Sequence, residues 1–362
     1  MTVPARTQLR SIVDTSALRH NLARVRELAP GSRVAAVVKA NAYGHGLVAA
    51  ARALTASDAL AVARLEEGLV LRAAGIDQRV LLLEGVLAPD ELEQARRHRL
   101  DLMVHSFEQI ELLESRPGAA PLRVWLKLDT GMNRLGFRPE DFVAAHARLT
   151  RVRGLESPPL LVTHLANADE RGDPMTVAQL DRFAAATAGY AGERSIANSA
   201  GVLAWPASHT DWVRPGLMLY GIAPYPGTTG SDFALRPAMT FETAVIAVRT
   251  VQSGESVGYR ALWRAQRESR LAIVACGYGD GYPRAAGTGT PVMISGRRAP
   301  LVGRVSMDML TVDVTDLPGV RPGDPVTLWG EGVAVEEVAT HAGAIPYELI
   351  CGVGSRVRRE TR

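Results

Sequence analysis

The chain has 362 residues, of which 47% are hydrophobic and 22% charged, and its formal net charge is +3. This composition allows a sizeable buried core and excludes a disordered protein. The small, scattered positive charge does not favour nucleic-acid binding, and no apolar run reaches membrane length, so we expect neither partner. We expect no signal peptide in the polar N-terminal segment. Two cysteines, Cys276 and Cys351, form no disulfide framework or metal site, which predicts a cytoplasmic protein without a metal.

Short apolar runs alternate with amphipathic segments from residue 11 to about residue 236. The runs predict strands at 34–39, 59–63, 80–83, 102–104, 124–128, 160–163, 195–198 and 212–214. The segments predict helices at 18–28, 47–54, 65–74, 89–97, 106–114, 139–149 and 174–189, with Asp14 as a cap for the first. So many strand–helix units in succession predict a (β/α)8 TIM-type barrel that occupies residues 1–236.

A Pro/Gly-rich break at residues 224–230 ends this alternation. Beyond it, the pattern predicts strands at 241–251, 272–276, 292–295, 310–314 and 326–329, with one helix at 335–342. These elements predict a smaller, mainly β C-terminal domain over residues 237–362. We expect the arginine-rich segment 356–359 to be a solvated tail.

The two lysines are the most informative residues of the chain. Among 41 Lys+Arg residues only Lys39 and Lys127 are lysine, and each ends an apolar, strand-like run. Arginine stays charged, whereas a buried lysine can lose its proton, and only the neutral amine attacks a carbonyl. The pattern therefore indicates amine chemistry at these positions. The open alternative is an ordinary strand-end lysine whose stem is buried and whose ammonium reaches water.

Polar residues also follow several predicted barrel strands. They are Lys39, Lys127 with Asp129, His164, Asn198 with Ser199, and Arg214. A barrel keeps its chemistry at the C-terminal ends of its strands, so we expect these side chains to converge on one site.

Eight motifs resemble those of one known family. They are AVVKANAYGHG at 36–46, KLDTGMNRLGF at 127–137, TH at 163–164, NSA at 198–200, VRPG at 213–216, VGY at 257–259, GYGDGY at 277–282 and VSMD at 305–308. In this order, and over nearly the whole chain, they resemble the alanine racemase family, whose lysine carries pyridoxal 5′-phosphate (PLP). One departure is Ser306, where relatives often have cysteine.

The resemblance implies a homodimeric, PLP-dependent enzyme that interconverts L-alanine and D-alanine and supplies D-alanine for peptidoglycan. Racemisation needs a base on each face of the reacting carbon. By resemblance, Lys39 is the base for the D-enantiomer and Tyr259 the base for the L-enantiomer, with support from His164 and Arg214. A half-buried structural aromatic is the alternative for Tyr259. The β-domain that carries Tyr259 and Met307 is expected to reach the barrel of the other subunit.

The remaining roles are also implied by the resemblance. Arg134 and the Met307 backbone N–H would bind the substrate carboxylate, and Arg214 would face the pyridine nitrogen. PLP decarboxylases of the same design have an acidic residue in that place. Lys127 resembles a lysine that many members carry as a carbamate; the alternative is a buried lysine paired with Asp129. The cofactor contacts would come from Tyr43, His164, Asn198, Ser199, Arg214, Gly216, Leu217 and Tyr347.

The sequence leaves two other functions open. A non-catalytic PLP carrier would share the barrel and its lysine but lack the β-domain, so Tyr259 and Met307 argue against it. A broad-specificity amino-acid racemase would keep the machinery and differ in the size of its pocket, at wall positions such as Tyr278.

Overall fold

The computed structural model describes residues 9–118, 121–156 and 158–362. The chain enters through strand β1 (Arg10–Val13) and helix α1 (Thr15–Leu28). The Asp14 carboxylate caps this helix as expected, accepting the backbone N–H groups of Ser16 at 2.8 Å and Ala17 at 3.3 Å. No helix in the described ranges is both long and apolar enough to cross a membrane.

Eight parallel strands then close into a barrel, because the first of them pairs with the last as well as with the second. They are β2 (Arg33–Val37), β3 (Ala59–Val62), β4 (Val80–Leu82), β5 (Leu100–Val104), β6 (Val124–Lys127), β7 (Leu160–Val162), β8 (Arg194–Ser195) and β9 (Trp212–Val213). This closed barrel confirms the fold predicted from the alternating pattern.

The intervening segments include α2 (Lys39–Tyr43), α3 (Leu47–Ala53), α4 (Leu65–Ala73), α5 (Pro89–Arg97), α6 (Phe107–Ser115), α7 (Pro139–Leu149), α8 (Met175–Thr187) and α9 (Ser199–Ala204). Proline begins both α5 and α7, where a missing N–H costs nothing. Strand residues fill the barrel core: Trp125 and Trp212 are fully buried and pack edge to face, with ring centroids 5.3 Å apart.

The second domain is built on a sheet of eight strands. Its own strands are β10 (Met239–Val251), β13 (Ser269–Val274), β14 (Pro291–Ile294), β15 (Arg297–Pro300), β16 (Leu310–Asp313), β17 (Pro325–Trp329) and β18 (Arg358–Thr361), and a separate hairpin is formed by β11 (Ser256–Val257) and β12 (Trp263–Arg264). The sheet order is β15-β14-β17-β10-β1-β18, with β13 on β10 and β16 on β13. Helices α10 (Val335–Ala342), as predicted, and α11 (Pro346–Cys351), which was not, accompany the sheet.

Both ends of the described chain meet in this sheet. Strand β1 pairs antiparallel with β10 and parallel with β18, with Arg10 opposite Arg358. The arginine-rich segment 356–359 is therefore not a solvated tail, and that expectation was wrong. Arg356 instead bonds the carboxylates of Asp280 at 2.6 Å and Asp308 at 2.7 Å. Since β1 lies in the second sheet, the division of the chain at residue 236 remains a prediction.

Candidate active site

The C-terminal ends of the barrel strands surround a cavity of about 380 Å³. All but two of the site residues expected from the sequence line it: Lys39, Tyr43, Lys127, Arg134, His164, Asn198, Ser199, Arg214, Gly216, Leu217 and Tyr347. Its lining contains two lysines, two arginines and one carboxylate, that of Glu84, which lies 3.5 Å from Arg64. The cavity is therefore electrostatically suited to an anionic ligand.

Lys39 stands where β2 gives way to a left-handed turn. Residues Ala40, Asn41, Ala42 and Tyr43 all have φ between 52° and 54°, so α2 is a single turn of left-handed helix. The turn ends at Gly44, whose positive φ and close approach to the Ile350 carbonyl exclude a side chain. The half-buried Lys39 is thus placed at the rim of the cavity by an unusual backbone.

Lys127 ends β6 and is buried on the far side of the same cavity. Burial, followed by the neighbouring cations Arg214 and Arg134, lowers the pKa of its amine from 10.5 to about 8. The alternative pairing with Asp129 does not form: the Asp129 carboxylate accepts the backbone N–H groups of Gly131 and Asn133 instead. Within the described ranges Lys127 makes no ion pair closer than 4.0 Å.

Arg214 follows β9 and is held by oxygen atoms on two sides. Its guanidinium donates to the Ser195 Oγ at 2.6 Å and to the Thr163 carbonyl at 2.7 Å. Burial lowers its pKa to about 10, which leaves it charged at neutral pH. Its Nη2 also lies 3.3 Å from His164 Nδ1. Because arginine only donates, that nitrogen must be the acceptor, and the His164 proton resides on Nε2.

His164 is kept neutral by its surroundings. Burial first, then the charges of Arg214 and Lys127, hold the pKa of its imidazole well below the usual value. Its carbonyl accepts the Gln179 side-chain amide at 3.0 Å, which fixes the turn after β7. A neutral imidazole with its proton on Nε2 offers a hydrogen-bond donor without adding charge.

The donors on the other side of the cavity suit a phosphate group. Neither the Tyr43 nor the Tyr347 hydroxyl has a hydrogen-bond partner among the described residues, and their ring centroids are 5.7 Å apart. Burial raises the pKa of Tyr347 to about 12 and that of Tyr43 above its usual value, so both hydroxyls stay protonated. A Cβ at Gly216 would lie 2.6 Å from the Tyr43 hydroxyl oxygen, so only glycine leaves this cradle open.

Ser199 and Asn198 complete that side at the start of α9. The Ser199 Oγ accepts backbone N–H groups from Gly216 at 2.9 Å and Met218 at 3.2 Å, and its own hydroxyl proton remains available. The Asn198 side chain caps α9 by accepting the Gly201 N–H at 2.9 Å. The Gly216 N–H, expected to bind phosphate, is thus bonded to Ser199 instead. Two tyrosine hydroxyls, the Ser199 hydroxyl and the Leu217 backbone N–H form a donor set that fits the phosphate of PLP.

The remaining cation, Arg134, is carried on a loop after β6. Asp129 N–H donates to the Phe137 carbonyl at 2.8 Å, and Phe137 N–H donates back to the Lys127 carbonyl at 2.8 Å, closing the loop at its base. Arg134 is exposed at its tip, and in the described part of the chain its guanidinium has no partner. A free, forked donor of this kind is suited to a carboxylate ligand.

Tyr259 and Met307 do not line the cavity. Tyr259 begins a short turn after β11 and is 70% exposed; Met307 is 55% exposed. Met307 lies in a tight turn, in which the Ser306 hydroxyl donates to the Met309 carbonyl at 2.7 Å. The Met307 carbonyl accepts the Gly279 N–H at 2.9 Å. Ser306 thus shapes the turn from which the Met307 amide projects.

Two acidic residues near the site were missed from the sequence. Glu84 lines the cavity just beyond β4, where the rule that placed Lys39 and His164 would also have found it. Glu67 lies on α4 and accepts the Ala40 N–H at 2.6 Å. No strand end marks Glu67, so the sequence pattern held no signal for it.

The fold and the site together define a class: a two-domain TIM-barrel enzyme with lysine and arginine at the mouth of the barrel and a β-domain that adds Tyr347 to the same cavity. Models of the alanine racemase N-terminal and C-terminal domains match residues 13–224 and 238–361. The chain belongs to the alanine racemase family.

Relatives and solved structures match this chain along nearly its whole length. The alanine racemase of Aeromonas hydrophila is 51% identical over 348 residues, which span 96% of this chain and 98% of that protein. The crystal structure of the biosynthetic alanine racemase from Pseudomonas aeruginosa has 48% sequence identity to this chain and a TM-score of 0.95. The match covers 98% of this chain and 99% of that one. The crystal structure of the alanine racemase from Bartonella henselae, with covalently bound pyridoxal phosphate, has 29% sequence identity to this chain and a TM-score of 0.87. The match covers 98% of this chain and 99% of that one.

Proposed function

We propose that the chain interconverts L-alanine and D-alanine, with PLP held covalently by Lys39. One observation carries this proposal: the only two lysines of the chain line one cavity at the mouth of the barrel. Membership of the alanine racemase family supports the reaction and the substrate. The covalently bound pyridoxal phosphate in the Bartonella relative supports the cofactor. When bound, PLP supplies an electron sink for the electron pair left by removal of the α-proton.

Two bases on opposite faces would move that proton. The Lys39 amine would take the α-proton from D-alanine or return it to form D-alanine. The Tyr259 phenol would do the same for L-alanine on the opposite face. A positioned acid or base of this kind contributes about 10²–10⁴-fold to a rate. The phosphate would be held by the hydroxyls of Tyr43, Ser199 and Tyr347 and by the Leu217 amide. Gly216, whose own amide is bonded to Ser199, would leave room for it.

Arg214 would face the pyridine nitrogen. An acidic residue in that place would stabilise a proton on the ring nitrogen. The guanidinium of Arg214 is always charged and only donates, so the nitrogen would stay unprotonated and the electron sink would be limited. His164, which is bonded to Arg214, and Asn198 would also hold the cofactor. This arrangement favours return of the proton over side reactions such as transamination.

Arg134 and the Met307 amide would bind the substrate carboxylate. The unpartnered guanidinium of Arg134 supports its part, because a bidentate pair with a carboxylate is its strongest contact. Lys127 would carry a carbamate made from its neutral amine and carbon dioxide, and the lowered pKa supports this by raising the share of neutral amine. The added negative charge would hold Arg134 in place.

The site would be completed by a second copy of the chain. Tyr259 and Met307 are exposed on the surface of one chain, which supports a two-fold homodimer in which they reach the partner's cavity. The word biosynthetic in the name of the Pseudomonas enzyme supports a role in supplying D-alanine for peptidoglycan. A cytoplasmic location remains part of the proposal.

The substrate is tested by a chiral assay across alanine, serine, lysine and arginine. We expect alanine to be racemised far faster than the others; comparable rates would favour a broad-specificity racemase. Borohydride reduction followed by peptide mapping should place the cofactor on Lys39. A reduced adduct at any other residue would reject that assignment.

The shared site is tested with Lys39→Ala and Tyr259→Phe, each nearly inactive as a homodimer. Unfolding and refolding an equal mixture makes roughly half of the dimers mixed, if pairing is random. One site of each mixed dimer then combines wild-type Lys39 with wild-type Tyr259, so activity should return to about a quarter of wild type. No recovery, with mixed dimers confirmed by mass spectrometry, would show that both residues come from one chain.

A further inference from the structure

The turn that carries Lys39 is costly for the chain to form. Four consecutive residues without glycine, Ala40 to Tyr43, have left-handed backbone angles. Each L-residue in this conformation is disfavoured by its own Cβ, so such a run persists only where surrounding contacts over-determine it. Within the turn, His45 Nδ1 lies 2.9 Å from the Tyr43 carbonyl, and the Asn41 side chain accepts the Leu47 N–H at 2.9 Å. Contacts at its two ends tie the turn to the rest of the fold and so set where Lys39 lies.

The first end is held by Glu67 of α4. One carboxylate oxygen accepts the Ala40 N–H at 2.6 Å, and the other accepts the N–H groups of Ala63 at 2.8 Å and Arg64 at 3.3 Å. One side chain thereby ties the residue after Lys39 to the loop that follows β3. Hydrogen bonds to an ionised carboxylate are among the stronger ones in proteins.

The second end is held by Arg359 of β18, from the far terminus of the chain. Its Nε donates to the Gly44 carbonyl at 3.1 Å, and its Nη2 donates to the Val353 carbonyl at 3.1 Å. Strand β18 is itself anchored by its pairing with β1. The turn is thus fixed between the barrel on one side and the second domain of the same chain on the other.

We propose that Glu67 and Arg359 are positioning residues that clamp the left-handed turn and set the place of the Lys39 amine in the cavity. The catalytic part of this proposal rests on the proposed function of Lys39. The structural part, the clamp itself, does not depend on what Lys39 carries. Neither residue lines the cavity, so their effect on the reaction is exerted through the backbone of the turn.

Glu67→Gln is the sharpest variant, with Glu66→Gln as its matched control. Glutamine keeps the size of the side chain but has one oxygen, so it cannot serve both Ala40 and the Ala63–Arg64 pair. Glu66 is adjacent on the same helix, is exposed, and makes no hydrogen bond or ion pair in the described ranges. Loss of one charged hydrogen bond should speed amide exchange in the 39–46 segment by about tenfold or more.

Exchange is measured by mass spectrometry on the holoenzyme, together with kcat and KM. We expect faster exchange and a lower kcat for Glu67→Gln, with KM little changed, and wild-type values for Glu66→Gln. Arg359→Gln should likewise give faster exchange and a lower kcat, from the other end of the turn. Arg359→Lys retains a cationic donor, so its exchange rate and kcat should lie close to those of the wild type. The Arg359 pair also keeps the test decisive if Glu67→Gln fails to fold.

Unchanged exchange in both Glu67→Gln and Arg359→Gln would overturn the clamp. Faster exchange with an unchanged kcat would overturn the link from the turn to Lys39. Borohydride mapping on the same wild-type preparation separates these results from a failure of the proposed function, since an unlabelled Lys39 would reject its cofactor role while the exchange data still decide the clamp.

Discussion

The titration of Lys127 tests the electrostatics of the cavity. Burial and the charges of Arg214 and Arg134 lower the pKa of its amine from 10.5 to about 8. Between those two pH values the unfolded chain binds one proton more than the native protein. The free energy of unfolding therefore rises with pH in that window, by about 1.4 kcal/mol per unit. The cost of the buried ammonium is fully present below the native pKa, where it amounts to about 3 kcal/mol.

Lys127→Met removes this titration while keeping a long side chain. The difference in unfolding free energy, variant minus wild type, should be constant from about pH 6.5 to 7.5 and then fall by about 2 kcal/mol between about pH 8 and 9.5. Urea unfolding at a fixed protomer concentration measures it, in buffers freed of carbon dioxide so that the amine stays unmodified. A difference that stays flat over the whole range would refute the lowered pKa.

The same pair of proteins tests the carbamate. Bicarbonate should stabilise the wild type and not Lys127→Met, because a carbamate replaces the buried ammonium by an anion beside Arg134 and Arg214. Labelled bicarbonate should give a carbon-13 resonance that the variant lacks. An unmodified amine in a crystal map at neutral pH with bicarbonate present would contradict this prediction.

Substitutions at three residues test the roles proposed above. Lys39→Ala and Lys39→Arg should both lose the visible absorbance of lysine-bound PLP, because a guanidinium is not nucleophilic; a visible band that survives either change would argue against Lys39. Tyr259→Phe should slow solvent-deuterium exchange of L-alanine far more than that of D-alanine, and equal losses would contradict the division between two bases. Arg214→Glu should lower racemisation and raise transamination; an unchanged ratio of the two would mean that Arg214 does not face the ring nitrogen.

Local patterns predicted the barrel well because its elements depend on neighbours close in sequence. Helices such as Pro89–Arg97 and Pro139–Leu149 carry both their starting proline and their apolar face within one segment. Strand β18 carries no such signal: it is polar, and its partner β1 lies at the opposite terminus. Pairing over such a distance is decided by the assembled sheet and not by the segment itself.

In the candidate site, too, some features follow from local sequence and others depend on tertiary contacts. The rule that barrel chemistry lies at strand ends predicts that Lys39, Lys127, His164 and Arg214 converge, and all four line the cavity. The left-handed turn after Lys39 could not be predicted, since alanine and tyrosine disfavour positive φ and only tertiary contacts impose it. Glu67, which supplies one of these contacts, lies in the first turn of a helix and resembles any solvent-facing acid.

The second domain therefore has two separable tasks in the proposed enzyme. Toward its own barrel it contributes Tyr347 to the cavity, and Arg359 and the Ile350 carbonyl to the turn that bears Lys39. Toward a second copy it presents Tyr259 and Met307 on exposed turns. A barrel without this domain would lose the contact that holds the Gly44 end of the turn as well as the second base. This coupling would give a physical reason for both domains to form one polypeptide. The domain proposed to complete the partner's site also holds the turn that bears the lysine of its own barrel.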